Sequence, residues 1–293
     1  MRKTVSLLIC AVMVFALCAS AYAESAQSRA VIGADLTNEQ IALVYQAFGM
    51  PQGSVTQLRL TNAEERRYLE GFVESSVIGT RSISCVYVEL LAPGTGMNVT
   101  TSNITWCTGD MYINALATAG ITDAKIMVAA PFPVSGTAAL AGIYKAYEDM
   151  TGQGLDDQAK LVSTQELTVT GELAQEIGST DSASIVQELK RVLSETEKMT
   201  DEQMRQEIVN IASRYHVSLT ETQIKQLISL CRSLEGLDSF TLKSGVKDVQ
   251  SALDKVSDAK TQVVGFIETI RTVFGSIQSF IDRIQSLLDK FGY

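Results

Sequence analysis

The chain has 293 residues, with 24 basic against 33 acidic side chains and a mean hydropathy of +0.13. That balance excludes a nucleic-acid surface, which needs clustered Lys and Arg to neutralise phosphates. It also disfavours adhesion to anionic lipid or wall polymer, except through a bridging cation.

Residues 1–23 read as an export signal. Arg2 and Lys3 precede an apolar run from Thr4 to Ser20, and Ala21-Tyr22-Ala23 is a cleavage-type A-x-A. Phe15 and Leu17 do not suit a lipoprotein pattern before Cys18. No second apolar run of about 20 residues follows, so no transmembrane segment is expected after cleavage. Without Arg2 and Lys3 the chain keeps 22 basic against 33 acidic side chains, and its length suits two domains. The expected location is secreted, with association to the cell envelope.

The first domain, 24–152, is expected to be mixed α/β, a small sheet covered by helices. "LTNEQIALVYQAFG" is a helix capped by Thr37 or Asn38, with Ile41, Val44, Tyr45 and Phe48 on one face. "SVTQLRL" is strand-like, and "TNAEERRYLEGF" restarts a helix at Thr61 or Asn62. Strands follow at about 82–91 and 98–106, then a helix from Asp110 to Ala119. "DAKIMVAA" is a buried strand that Pro131 stops, and Ser135 then stands where a helix N-cap belongs. The order is α-β-α-β-β-α-β-α.

Three cysteines survive cleavage: Cys85, Cys107 and Cys231. If the strands near 82–91 and 98–106 form an antiparallel hairpin centred on Gly96, Cys85 and Cys107 face each other. Opposed residues lie within disulfide reach. The alternative is two buried thiols, because a one-residue slip destroys the match.

"GITDAKIMVAAPFPVSGTAALAGIYKAYE" and "NITWCTGDMYINALATAG" resemble the YpuA-like family of predicted secreted bacterial proteins of unknown function. The resemblance covers most of the mature chain. It implies a Gram-positive export setting and an envelope or extracellular role, and it supplies no catalytic residue.

Candidate chemistry is sparse. The single His216 lies in the helical half, beside a helix start at Ser218 or Thr220, which leaves Ser135 without an evident base. A Ser–Lys pair with Lys125 or Lys145 lacks the S-x-x-K spacing. "SDAK" at 257–260 has it, but in a heptad helix. One histidine and scattered cysteines make no standard zinc set, and no cofactor motif or Walker loop appears. Glu89, Asp110 and Asp123 are the candidates for paired carboxylates of a glycosidase. What remains is an anion-binding helix start at Ser135, Gly136 and Thr137, with hydroxyl-rich Thr101 and Asn103 brought near by the sheet.

Residues 153–180 read as a connecting segment with one or two short helices, and 181–293 as an all-α domain. Helices are expected near 182–197, 201–214 and 220–235. From Val249 to Phe291 apolar residues recur at alternating steps of four and three, among them Ile267, Ile270, Phe274, Ile277, Ile281, Ile284 and Leu288. This heptad stripe is a candidate partner or self-association helix, with Lys260 as its one interruption. The leading expectation is a non-catalytic envelope-associated binding or scaffold protein. The alternatives are an extracellular hydrolase centred on Ser135 and a coiled-coil assembly protein.

Overall fold

A computed structural model describes residues 27–72, 75–195 and 198–237. The expected export segment and heptad stripe lie outside the described residues.

The described residues form a mixed α/β structure around a five-stranded sheet of order β2-β1-β3-β5-β4. The strands are β1 (Ser28–Gly33), β2 (Thr56–Leu60), β3 (Cys85–Leu90), β4 (Asn98–Ile104) and β5 (Ala124–Val134). Helix α1 (Asn38–Ala47) joins β1 to its parallel neighbour β2, and α4 (Gly109–Thr118) joins β4 to its parallel neighbour β5. β3 lies between the two units and is antiparallel to both β1 and β5. Its "CVYV" run is buried on both faces, as a central strand requires.

This topology corrects the expected hairpin. β3 gives its two edges to β1 and β5, and β5 separates it from β4. Two inter-strand steps hold β3 and β4 roughly 9–10 Å apart. Cys85, Cys107 and Cys231 are all free and buried. β1 was missing from the expected order; its "SRAVIG" carries too little alternation to stand out before the capped helix.

The end of β5 is a second correction. The strand passes through Pro131 and Pro133 to Val134. Its antiparallel ladder with β3 is finished at Ala129, so neither proline removes a donor from that ladder. On the β4 side the register shifts at Asn103, a non-glycine residue at φ 57°, and Ile104 then aligns with Val134.

One sheet face packs against α1, where Ile41, Val44, Tyr45 and Phe48 meet Ala30, Ile32, Cys85 and Tyr87. The opposite face takes α5 (Ala139–Thr151). A Cβ added at Gly142 would sit 3.2 Å from Val86 Cγ2, which shows how closely that helix approaches. Two further helices, α2 (Asn62–Leu69) and α3 (Ser75–Ile78), fill the connection from β2 to β3.

Beyond α5 the chain is helical: α6 (Asp157–Ile177), α7 (Ser179–Glu195), α8 (Asp201–Arg214) and α9 (Glu221–Glu235). α6 occupies the expected connecting segment, but it is a 21-residue core helix capped by the Asp156 side chain. Its Ser163 hydroxyl donates to Ala115 O on α4 (2.5 Å). A buried ion pair, Glu166–Lys190 at 2.9 Å, adds Thr118 and the Asn114 carbonyl to the same joint. Ile185, Val186, Ile208, Ile211, Ile224 and Leu227 form the apolar centre of α7, α8 and α9. Among the described residues no helix is long and apolar enough to cross a membrane.

Candidate functional site

The turn at residues 135–137 is where the sequence places an anion cradle, and its three carbonyls accept bonds from within the fold. Gly136 at φ 94° redirects the chain after β5, and α5 starts only at Ala139, behind Ala138, which makes no side-chain cap. Ser135 is therefore not an N-cap. Its hydroxyl lies 3.4 Å from Thr137 Oγ1, and its carbonyl accepts from the Cys107 amide at 3.1 Å. Gly136 O accepts from the Tyr112 hydroxyl (2.5 Å) and the Ala139 amide (3.0 Å), while the Leu140 amide donates to Thr137 O (3.3 Å). Thr137, Ala138, Ala139 and Leu140 are buried. The Ala139 and Leu140 amides are bonded internally and the turn from Gly136 onward is buried, so an anion would meet a closed environment there.

The other predicted residues do not converge there. Thr101 is exposed on edge strand β4 opposite Val128, three residues or about 10 Å of strand before Ile104 meets Val134. The Asn103 side-chain amide donates to Ala130 O (2.8 Å) and secures the bulge. Lys125 lies at the opposite end of β5 from Ser135, across from Glu89. Lys145 is bonded to Arg59 O and Glu64, both at 2.6 Å. His216 is exposed at φ 58° in the turn between α8 and α9. Of the candidate carboxylates, Glu89 accepts from Tyr87 (3.0 Å) and Asp123 holds the Gly96 amide (2.7 Å), while Asp110 sits in the first turn of α4. Burial pushes the Cys85 and Cys107 thiols up to about 12, which removes them as ready nucleophiles.

A feature that the sequence reading missed lies at the carboxyl ends of β1 and β2. Glu65, on the inner face of α2, has no exposed surface. It accepts from the Ser82 hydroxyl and from Asn62 Nδ2 (3.3 Å). Burial pushes its carboxyl up to about 7 against these hydrogen bonds, and the charges of Asp35 and Glu64 add to the rise. Asp35 in turn accepts from the Ser82 amide (2.7 Å). The cluster is closed. A Cβ on Gly33 would meet Ser82 O at 2.3 Å, and Ser82 is itself fully buried, so the pair bolts α2 to the sheet and offers no substrate access. The signal was Glu65 preceding Leu69 by one helical turn on the buried side.

An open cleft of about 180 Å³ with mixed polar and apolar walls lies where the end of α2 meets α6 and α9. Gln165, Glu172, Gln226 and Ser229 line it, with Phe72 and Val169 as apolar lining. Gln226 Nε2 donates to Glu172 (2.7 Å) and Gln165 Nε2 approaches Ser229 Oγ (3.3 Å), so α6 and α9 hold these groups in place. No local motif announces the cleft, because its walls are more than 50 residues apart in sequence.

The family "Protein of unknown function (DUF1002)" matches residues 32–256. The chain is also 35% identical to the uncharacterized protein YpuA of Bacillus subtilis (strain 168) over 239 residues, 81% of this chain and 79% of that protein. No solved structure matches the chain significantly.

Proposed function

This chain belongs to the DUF1002 family of proteins of unknown function, and from that premise we propose an exported, envelope-associated binding protein. The observation that carries this reading is the cleft between α2, α6 and α9: Gln165, Glu172, Gln226 and Ser229 line an open recess there, whereas Glu65 is enclosed and Ser135 faces the buried Thr137. The signal-like residues 1–23 and the acidic mature chain support an extracellular setting for it. In the same reading residues 181–293 are an all-α region, whose heptad stripe from Ile267 to Leu288 pairs with another chain and makes the binding multivalent. A Ser135-centred hydrolase is disfavoured because no base lies within hydrogen-bond reach of that hydroxyl among the described residues.

The test is co-sedimentation of the exported chain with envelope fractions, compared with a Gln165→Ala/Gln226→Ala variant and with a version ending near Asp258. The cleft variant is expected to lose binding, and the shortened chain to become monomeric and bind more weakly. Undiminished binding by the folded cleft variant removes the cleft from the reading. Identical sedimentation of the shortened and complete chains removes the pairing role.

A further inference from the structure

The geometry points to a neutral, polyhydroxylated ring, a sugar unit, as the ligand of the cleft between α2, α6 and α9. This inference rests on the reading that the cleft is the binding surface. Its volume, about 180 Å³, falls below the roughly 300–1,000 Å³ typical of drug-sized pockets. The recess itself seats a single small ring, and any larger ligand would extend from it into solvent.

Charge narrows the class. Among the described residues no Lys or Arg lines the cleft, and Glu172 is its one charged group, so an anion finds nothing to pair with. A cation finds a single carboxylate there, Glu172, which stands exposed to water and so attracts it weakly. The hydrogen-bonding groups are mixed. After the two internal bonds, Oε1 of Gln165 and of Gln226 stay open as acceptors, each carboxamide keeps a second N–H, and the Ser229 hydroxyl keeps its proton. Planar groups that offer donors and acceptors side by side suit adjacent hydroxyls, each of which both gives and accepts a bond. Phe72 and Val169 add an apolar surface for the C–H face of a ring. The two internal bonds also hold the long glutamine side chains before any ligand arrives, which lowers the ordering cost of binding.

Saturation-transfer NMR on the full exported chain tests this with three probes: methyl α-glucoside, putrescine and inorganic phosphate. Transfer to the glucoside ring protons is expected, with little to putrescine and no phosphate-dependent change in the protein spectrum. Gln226→Ala and Gln165→Ala should each weaken glucoside binding roughly three- to tenfold, the loss of about one neutral hydrogen bond, at an unchanged melting temperature. Glu172→Gln, which keeps an acceptor, should retain most of it. Absence of transfer to the glucoside, or equal transfer in the wild type and both alanine variants, overturns the assignment. Putrescine binding that Glu172→Gln abolishes also overturns it and gives the cleft to a cation. If the sugar class fails while the double alanine variant still loses envelope binding, the binding-cleft reading stands; if envelope binding also persists, both fall.

Discussion

Glu65 is the side chain with the clearest pH signature. Its folded-state value of about 7 stands above the ordinary 4.5, so the folded protein holds a proton that the unfolded chain releases. The stability tied to that proton is fully present below about pH 4.5 and is lost as pH rises through about 7, a change of roughly 3 kcal/mol. Urea melts at pH 5 and pH 8 should show this slope, and Glu65→Gln should flatten it. An equal slope in the two proteins contradicts the assignment. Gly171 poses a different residue-scale problem, since a Cβ there would lie 2.3 Å from the indole of Trp106, the chain's single tryptophan. Gly171→Ala gains helix propensity of about 1 kcal/mol but forces the ring aside, for a net loss of up to roughly 2 kcal/mol. A red-shifted tryptophan emission checks the displacement. Cys85, Cys107 and Cys231 need no linkage: each should label slowly in the native protein and fully in the unfolded protein, because all three are buried and free.

At the scale of elements, local chemistry was legible at four helix starts that carry capping boxes. Thr37 and Thr61 form capping boxes with Gln40 and Glu64, and Thr200 and Thr220 do the same with Gln203 and Gln223. Pairing was not legible. The residues of β3 and β4 read as neighbours because they are consecutive, yet the parallel β4-α4-β5 unit places β5 between them. Ser135 failed as a cap for a related reason: Gly136 at φ 94° inserts a turn that composition does not reveal. α6 was underrated because its buried side is polar, with Ser163, Thr164, Glu166, Thr168 and Thr170 facing inward. The hydroxyls of Ser163, Thr164, Thr168 and Thr170 donate to Ala115 O and to carbonyls of α6, and Glu166 accepts from Thr118 on α4, so a periodicity sought in apolar residues passes over them. The Glu166–Lys190 pair is the sharpest test of that helix. Lys190→Met leaves a buried carboxylate alone and should cost about 3–5 kcal/mol, whereas Glu166→Leu with Lys190→Met should recover much of the loss. Chemical denaturation of the single and double variants decides it.

Across the whole molecule the two candidate surfaces differ in what they leave available. The Ser135 turn lies between β5, α4 and α5 and contributes its carbonyls and hydroxyls to the fold. The cleft depends on α6 and α9 and keeps open acceptors on Gln165 and Gln226. Neither glutamine has a role in the apolar centre of the helices, so their truncation separates binding from stability. The measurement that bears most directly on this account is the fraction of exported chain that sediments with envelope material, compared across wild type, Ser135→Ala and Gln165→Ala/Gln226→Ala at matched melting temperature. The account predicts full binding for wild type and Ser135→Ala and loss for the double glutamine variant; binding lost with Ser135→Ala and retained without the glutamines would contradict it.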